Sequence, residues 1–265
     1  MMLNEAKRTL ENAGIKVQEV DTLKGSCKVA GLSLGEGPVR PTLYGQTVEE
    51  MTEEELVQFA LRVMEQIPEV DISFAKDKDF ILDHCVSCIR HRTDDEKAVK
   101  WEVYGDLEEY VRIDLGTDAV NRNMSTIVTP ELLDTAGISP DELRIYARRN
   151  LKNTVTIQSM TEVLMGLMGD TGMDIPEPDG VMYVASNESR VNGAAVMLLE
   201  GVLREFCKEH GMDSCYIIPS SLHEVILISP SMPMTEINAM IQDVNETQVN
   251  EWERLSDHVY TFVAA

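Results

Sequence analysis

The chain has 265 residues, of which 46 are Asp or Glu and 23 are Lys or Arg, so its formal net charge is −23. This charge repels phosphate groups, so direct binding to the backbone of DNA or RNA is not expected. No apolar run approaches the roughly 18 residues of a membrane span, so insertion into a membrane is not expected either. Hydrophobic residues make up 43% of the chain, which is enough for a sizeable core and excludes a disordered protein.

Cysteine usage and the N-terminal residues indicate the compartment. The five cysteines are an odd number without a dense framework, which is typical of the reducing cytosol. The first residues carry charges and lack the apolar segment of a secretory signal, so we expect a cytoplasmic protein. The acidic residues are interpreted as a solvated acidic surface that keeps the protein soluble. The alternative is an acidic face that docks a basic partner or mimics nucleic acid.

Up to residue 168 the sequence predicts helices and short strands in mixed order. Thr47 and Thr52 each precede a Glu by three residues, and each pair predicts a capping box for a helix that ends near Gln66. Ser139, followed by Pro140, predicts the start of another helix. The predicted helices cover 2–13, the region up to 66, 77–92, 139–150 and 159–168, and the predicted strands cover 15–20, 27–34, 42–44, 110–115 and 125–128.

The sequence HCVSCIRH at residues 84–91 contains two histidines and two cysteines. In a helix, His84, Cys88 and His91 lie four and three residues apart on one face, where they resemble half of a tetrahedral zinc site. The sequence has no second pair of this kind, and Cys85 and Cys88 fall on the apolar face of that helix, which favours ordinary packing. No metal and no other cofactor is therefore expected. Zinc binding through His84 and Cys88 is kept as an alternative.

Residues 169–180 combine Gly, Pro and acidic residues and predict a linker. The predicted organisation is an N-terminal α+β region at 1–168 and a C-terminal β-α-β-β-α-β region at 181–265. The two regions are also compatible with packing as one domain. The predicted fold class is α+β, with mixed β-sheets and helices.

The C-terminal region is organised around a strand-helix-strand-strand unit at residues 181–229. Apolar runs alternate there with polar loops, and Gly211 stops the predicted helix. Gly201 lies inside this helix and favours a break near Glu200. The predicted elements are a strand at 181–185, a polar loop at 186–193, a helix from 194, strands at 215–218 and 223–228, a helix at 235–244 and a strand at 258–263.

This order of elements predicts where a ligand would bind. A strand-helix-strand unit of this length is most simply a right-handed parallel crossover, which brings the ends of both strands to one edge of the sheet. Ligands favour that edge in parallel sheets, although the same residues are also typical of ordinary polar loops. The residues predicted to form this edge, called the candidate rim below, are Asn187, Arg190, Asn192, Ser220, Ser221 and His223.

The turn at residues 220–224 contains Ser220, Ser221, His223 and Glu224, and so a nucleophile, a base and a carboxylate. Neighbouring residues of a strand point to opposite faces, so Glu224 cannot orient His223. The sequence also lacks a Gly-x-Ser-x-Gly elbow. No catalytic residue is therefore assigned. A hydrolase or transferase that uses His223 with Ser220 or Ser221 is kept as an alternative.

Motifs along nearly the whole chain resemble those of an uncharacterised bacterial family, domain of unknown function 5688. They are Gly31–Leu32, Pro41–Tyr44, Ala147, Asn150, Asn192–Ala195, Gly201–Leu203, Pro219–Ile226, Asn245–Val249 and Leu255–Asp257. The family's linker is usually longer and acidic, unlike the short one here. A fainter resemblance, in the order of strands and helix alone, is to domain of unknown function 1444.

Neither resemblance implies an activity. The expected function is therefore an uncharacterised, non-enzymatic module that binds an unknown protein or small molecule at the candidate rim.

Overall fold

We describe a computed structural model of the chain over residues 2–37, 40–66, 72–117, 123–168 and 182–264. These residues form two compact units, the first made by residues up to Ile72 and the second by residues from Ser73 onward. The predicted linker at 169–180 lies outside the described residues, so the domain boundary there stays a prediction. None of the helices in the described ranges is both long and apolar enough to cross a membrane.

The first unit is an antiparallel three-stranded sheet in the order β1-β2-β3, packed with helices over one core. Thr52 and Glu55 form the predicted capping box at the start of α3. The second predicted box, at Thr47, is wrong, because a separate short helix ends at Val48. The elements are α1 (Leu3–Asn12), β1 (Val17–Lys24), β2 (Cys27–Leu34), β3 (Thr42–Tyr44), α2 (Gly45–Val48) and α3 (Glu53–Glu65).

The second unit begins with a sheet built around one long strand. Strand β6 pairs along one side with β4 and along the other with β5 and then β7, always antiparallel. The elements, after a 3-10 helix at Ile72–Lys76, are α4 (Lys78–His84), β4 (Cys85–His91), β5 (Lys100–Val103), β6 (Leu107–Thr117), β7 (Asn123–Ile127), α5 (Pro130–Ala136) and α6 (Pro140–Lys152).

The predicted helix at 77–92 is wrong in its second half. Helix α4 ends at His84, and residues 85–91 form β4. All seven residues of β4 pair with β6, from Cys85 opposite Ile113 to His91 opposite Leu107. Pairing with a distant strand therefore overrides a local pattern that also fits a helix.

The second sheet of this unit has five strands in the order β12-β10-β11-β9-β8. Each pair of neighbours is antiparallel. The elements are β8 (Val155–Ser159), α7 (Met160–Met168), β9 (Tyr183–Asn187), a 3-10 helix (Gly193–Leu198), α8 (Glu200–Glu209), β10 (Ser214–Pro219), β11 (Val225–Ile228), α9 (Met234–Thr247), a 3-10 helix (Glu251–Glu253) and β12 (Tyr260–Val263).

The α+β class is confirmed, but the described sheets are antiparallel rather than mixed. Strands β9 and β10 run in the same direction, because each is antiparallel to β11, yet β11 lies between them. The parallel direction that the predicted crossover requires is present, but the two strands do not pair with each other. The carboxyl ends of β9 and β10 still lie at the same edge of the sheet.

The helix predicted from residue 194 is interrupted near Glu200, as the presence of Gly201 predicts. A 3-10 helix ends at Leu198, and α8 starts at Glu200. Every residue of the 3-10 helix is buried, and it packs against β4, α6, β9 and β11 at the centre of the unit. The polar loop that precedes it is thus held at the edge of the sheet by the core itself.

Candidate functional site

The loop after β9 and the turn between β10 and β11 are joined by hydrogen bonds. Ser186 Oγ donates to the carbonyl oxygen of His223 at 2.7 Å, and the Asn192 N–H donates to His223 Nδ1 at 3.2 Å. The Ala194 N–H donates to the carbonyl oxygen of Leu222 at 3.2 Å. Asn192 and His223, both members of the candidate rim, are therefore in direct contact.

The loop at 188–193 has an unusual backbone. Arg190 and Asn192 have φ angles of 53° and 55°, in the left-handed region that costs a non-glycine residue about 1–2 kcal/mol. A Cβ at Gly193 would overlap Ser186 Oγ and lie 2.7 Å from the backbone nitrogen of Asn187. Only glycine fits at position 193. Strain of this kind is often found at functional sites.

Asn187 holds this loop from inside. Its Nδ2 donates to the carbonyl oxygen of Val191 at 2.9 Å, and its Oδ1 accepts from the Val191 N–H at 3.2 Å and from Ser189 Oγ at 3.1 Å. The residue is only 7% exposed. Arg190 Nη2 donates to Gln158 Oε1 at 2.9 Å, which ties the same loop to β8. Asn187 therefore supports the candidate rim, while its polar atoms are occupied within the loop.

The imidazole of His223 has a defined tautomer. Because Nδ1 accepts the Asn192 N–H, the neutral ring carries its proton on Nε2. Nε2 lies 3.9 Å from Glu253 Oε1, and the two side chains are 38% and 34% exposed. The Leu222 N–H donates to the main-chain carbonyl oxygen of Glu253 at 2.8 Å and holds the backbone of Glu253 beside the turn. Asn250 Nδ2 donates to the Glu253 carboxylate, to Oε2, at 3.3 Å.

In the described contacts, neither Ser220 nor Ser221 donates its hydroxyl proton to a base that could activate it as a nucleophile. Ser221 Oγ accepts the His223 N–H at 3.0 Å, and the Ser221 N–H donates to the carbonyl oxygen of Glu224 at 3.3 Å. These contacts define a tight turn. His223 has no free ring nitrogen in its neutral form that could take a proton from Ser220 or Ser221, because Nδ1 is occupied and Nε2 is protonated.

The histidines and cysteines at residues 84–91, which resemble half of a zinc site in the sequence, lie in two different environments. His84 is exposed at the end of α4 and stacks on Phe80 with 4.1 Å between the ring centroids. Cys85 and Cys88 are buried, and burial raises the pKa of each thiol to about 12. Zinc binds the thiolate, which burial disfavours. Within the described ranges, no three His, Cys, Asp or Glu side chains are grouped so that they could hold a metal ion.

Sequence reasoning missed Glu253, a charged neighbour of His223. It lies 30 residues further along the chain, in a 3-10 helix with no local signal of a site. It also missed Ser186 and Gly193, which join the two loops. The dipeptide Asn192–Gly193, which favours positive φ angles, was a usable signal for an unusual turn.

The fold and these contacts define an α+β protein with a polar, hydrogen-bonded edge on its C-terminal sheet. The model of the family of unknown function DUF5688 matches residues 41–263, so the chain belongs to this family. No curated protein and no solved structure matches the chain. The fainter resemblance to domain of unknown function 1444 stays a prediction.

Proposed function

We propose that the protein is a non-enzymatic, cytoplasmic binding module with an acidic surface, and that a protein or small ligand binds at the candidate rim. His223 and Glu253 form the centre of this site. The observation that supports the proposal is their geometry: an N–H donor and a carboxylate acceptor 3.9 Å apart, both about one-third exposed.

This pair is suited to a neutral polar group. Nε2 of His223 requires an acceptor and Oε1 of Glu253 requires a donor, and a hydroxyl or an amide supplies both. The Asn192 N–H holds the ring of His223, and Asn250 Nδ2 holds the Glu253 carboxylate through Oε2 at 3.3 Å, before a ligand arrives. Preorganisation lowers the entropic cost of binding.

Composition supports the acidic surface and the compartment. Twice as many acidic as basic residues occur in the chain, and most such side chains are too costly to bury. The five cysteines, all within the described residues, are not joined in disulfides, and four of them are buried, which is typical of a reducing cytoplasm.

The proposal can be tested by NMR titration with acetamide and, separately, acetate. Acetamide offers a donor and an acceptor, whereas acetate offers only acceptors and is repelled by Glu253. We expect acetamide alone to shift the side-chain signals of His223 and Glu253. A ligand screen and a pull-down that compare the wild-type protein with a His223→Ala variant extend the test to larger partners.

His223→Ala and Glu253→Ala, which remove the donor and the acceptor respectively, are expected to abolish the acetamide response. His91→Ala is the matched control, because His91 is an exposed histidine at the end of β4. Acetamide shifts that persist in His223→Ala, or equal shifts with acetate, would contradict the proposal.

A further inference from the structure

A second group of polar side chains joins Asp106, in the loop between β5 and β6, to Ser256 and His258 just before β12 and to Tyr260 at its start. Tyr260 Oη donates to both carboxylate oxygens of Asp106 at 2.8 Å, and Ser256 Oγ donates to Asp106 Oδ2 at 3.0 Å. Ser256 Oγ also lies 3.0 Å from His258 Nδ1. We call Asp106, Ser256, His258 and Tyr260 the His258 cluster.

The hydrogen bonds of this cluster define the tautomer of His258. A carboxylate only accepts, so the single hydroxyl proton of Ser256 is directed to Asp106. The contact between Ser256 Oγ and His258 Nδ1 is then a hydrogen bond that the ring donates. The neutral ring therefore carries its proton on Nδ1, and Nε2 has a free lone pair. This is the opposite of His223, whose Nε2 carries the proton.

The segment that carries Ser256 and His258 is anchored to α9. Asn245 Nδ2 donates to the carbonyl oxygen of Ser256 at 3.0 Å and to Asp257 Oδ1 at 2.7 Å, and Asn245 is 2% exposed. The Val259 N–H donates to Asn238 Oδ1 at 2.9 Å. The cluster is thus held in place by the body of the unit on both sides of His258.

Aromatic rings surround the exposed part of the cluster. Tyr104 and His258 lie on Tyr260, with ring centroids 5.1 Å and 4.6 Å from its own. The Tyr104 hydroxyl donates to the carbonyl oxygen of Met197 at 2.5 Å, while 39% of the residue remains exposed. Its backbone is in the left-handed region, with a φ angle of 54°. The side chain of His258 is 46% exposed and that of Asp106 is 26% exposed.

The exposed groups of the cluster favour a cation. The His258 lone pair and the Asp106 carboxylate are both acceptors, and aromatic faces attract cations. Arg92 donates to the carbonyl oxygen of Gly105 at 3.2 Å, but its charge is paired with Glu102 at 2.6 Å.

We propose that the His258 cluster is a second binding site and that it binds an ammonium or guanidinium group. In this site His258 Nε2 accepts an N–H of the ligand, Asp106 supplies the opposite charge, and Tyr104 contacts the alkyl or planar part of the ligand. The group belongs either to a free amine or to a Lys or Arg side chain of a partner. The site is separate from the His223–Glu253 pair and does not depend on binding there.

The first measurement is a long-range proton–nitrogen NMR correlation of the histidine rings, which reports each tautomer directly. We expect the proton on Nδ1 of His258 and on Nε2 of His223. Ser256→Ala should remove the preference at His258 without changing His223. The proton on Nε2 of His258 in the wild-type protein would overturn the proposal.

The second measurement is an NMR titration with butylammonium, methylguanidinium and a short lysine-containing peptide. It follows the ring signals of Tyr104 and Tyr260, which remain in every variant, together with those of His258 where it is present. Tetramethylammonium is the matched control ligand, because it carries the charge but no N–H. We expect His258→Gln and Asp106→Asn each to weaken binding about tenfold, as loss of one charge-assisted hydrogen bond predicts. His91→Gln should leave binding unchanged.

Each outcome decides the proposal. Binding of the two small cations and the peptide supports a site for free amines, whereas binding of the peptide alone supports a site for a basic side chain of a partner. Equal binding of tetramethylammonium, or no binding of any of the three probes, overturns it. Thermal melts accompany each variant, and if Asp106→Asn unfolds, His258→Gln alone decides, because its side chain is nearly half exposed.

Discussion

Arg90 and Glu108 face each other across β4 and β6 as a buried ion pair, with Arg90 Nε 2.6 Å from Glu108 Oε1. Their side chains are 2% and 3% exposed. Thr93 Oγ1 and Lys100 Nζ also contact the Glu108 carboxylate, at 2.8 Å and 3.0 Å. The guanidinium of Arg90 lies 4.6 Å from the ring centroid of Tyr110. Arg90 Nη2 also lies 3.4 Å from Asp95 Oδ2, but loss of Glu108 removes the carboxylate at 2.6 Å and leaves the buried guanidinium only partly compensated.

We therefore predict that Glu108→Gln lowers the free energy of unfolding by about 3–5 kcal/mol. Urea unfolding, followed by circular dichroism, measures this loss. Glu102→Gln is the matched control, because Glu102 forms an exposed ion pair with Arg92 and should cost about 0–1 kcal/mol. Similar losses in both variants would contradict the role given to burial.

Glu109, the next residue, points to the other face of β6 and predicts a dependence of stability on pH. Burial alone would raise the pKa of Glu109, but hydrogen bonds and charge from Arg148, with hydrogen bonds from Ser87 and Arg144, hold it below its ordinary value of 4.5. A lowered pKa in the folded state stabilises the fold above the unfolded value, and this contribution disappears as the pH falls through the folded pKa.

The expected result is a free energy of unfolding that falls on acidification below about pH 4.5, with part of the fall due to Glu109. Urea unfolding between pH 7 and pH 3 measures it. Glu109→Gln should be less stable at neutral pH and should show a shallower fall in acid. An unchanged acid slope in that variant would remove Glu109 as a cause.

The cysteines predict slow thiol chemistry. Burial raises the pKa of Cys85, Cys88 and Cys215 to about 12, and Cys207 is buried too. Thiolates are the reactive form. With a chromogenic disulfide reagent at pH 8, only Cys27 should react in the folded protein, and all five cysteines should react in denaturant. Cys27→Ser should abolish the reaction of the folded protein, and fast reaction of a second thiol would refute this.

The helices with local signals at their ends could be predicted from the sequence. The capping box at Thr52 and the Ser139–Pro140 start both lie where the sequence placed them, because the caps depend on residues within one turn. Strand β2 agrees with its predicted bounds, because the tight turn at Gly25, whose φ angle is 57°, sends the chain back beside β1. These features are set by neighbours in the chain.

Strand order and β4 could not be predicted in this way. The insertion of β11 between β9 and β10 depends on pairing energies between segments tens of residues apart. The carboxyl ends of β9 and β10 share one edge, as the predicted crossover requires, and Asn192 contacts His223 there. The contact of His223 with Glu253 could not be predicted from the strand order, because it depends on the path of the chain after α9.

Gly193 predicts a sharp contrast between two glycine substitutions. Gly193→Ala should destabilise the protein by several kcal/mol, on the order of 2–4, since its Cβ has no space between Ser186 and the backbone of Asn187. Gly201→Ala is the control, because nothing lies within 4 Å of its Cβ and alanine favours a helix by about 0.5–1 kcal/mol. Thermal melts of both variants measure this, and a stable Gly193→Ala protein would show that the loop can move.

The exposed position of His223 predicts that its loss affects stability little. His223→Ala removes the hydrogen bond from the Asn192 N–H and the weak contact with Glu253, and should cost about 1 kcal/mol. Leu199→Ala, at the buried start of α8, should cost about 2–5 kcal/mol because it leaves a cavity in the core. Urea unfolding of the two variants compares these values. If His223→Ala costs as much as Leu199→Ala, then His223 mainly holds the fold together, and the candidate rim loses the residue on which ligand binding depends.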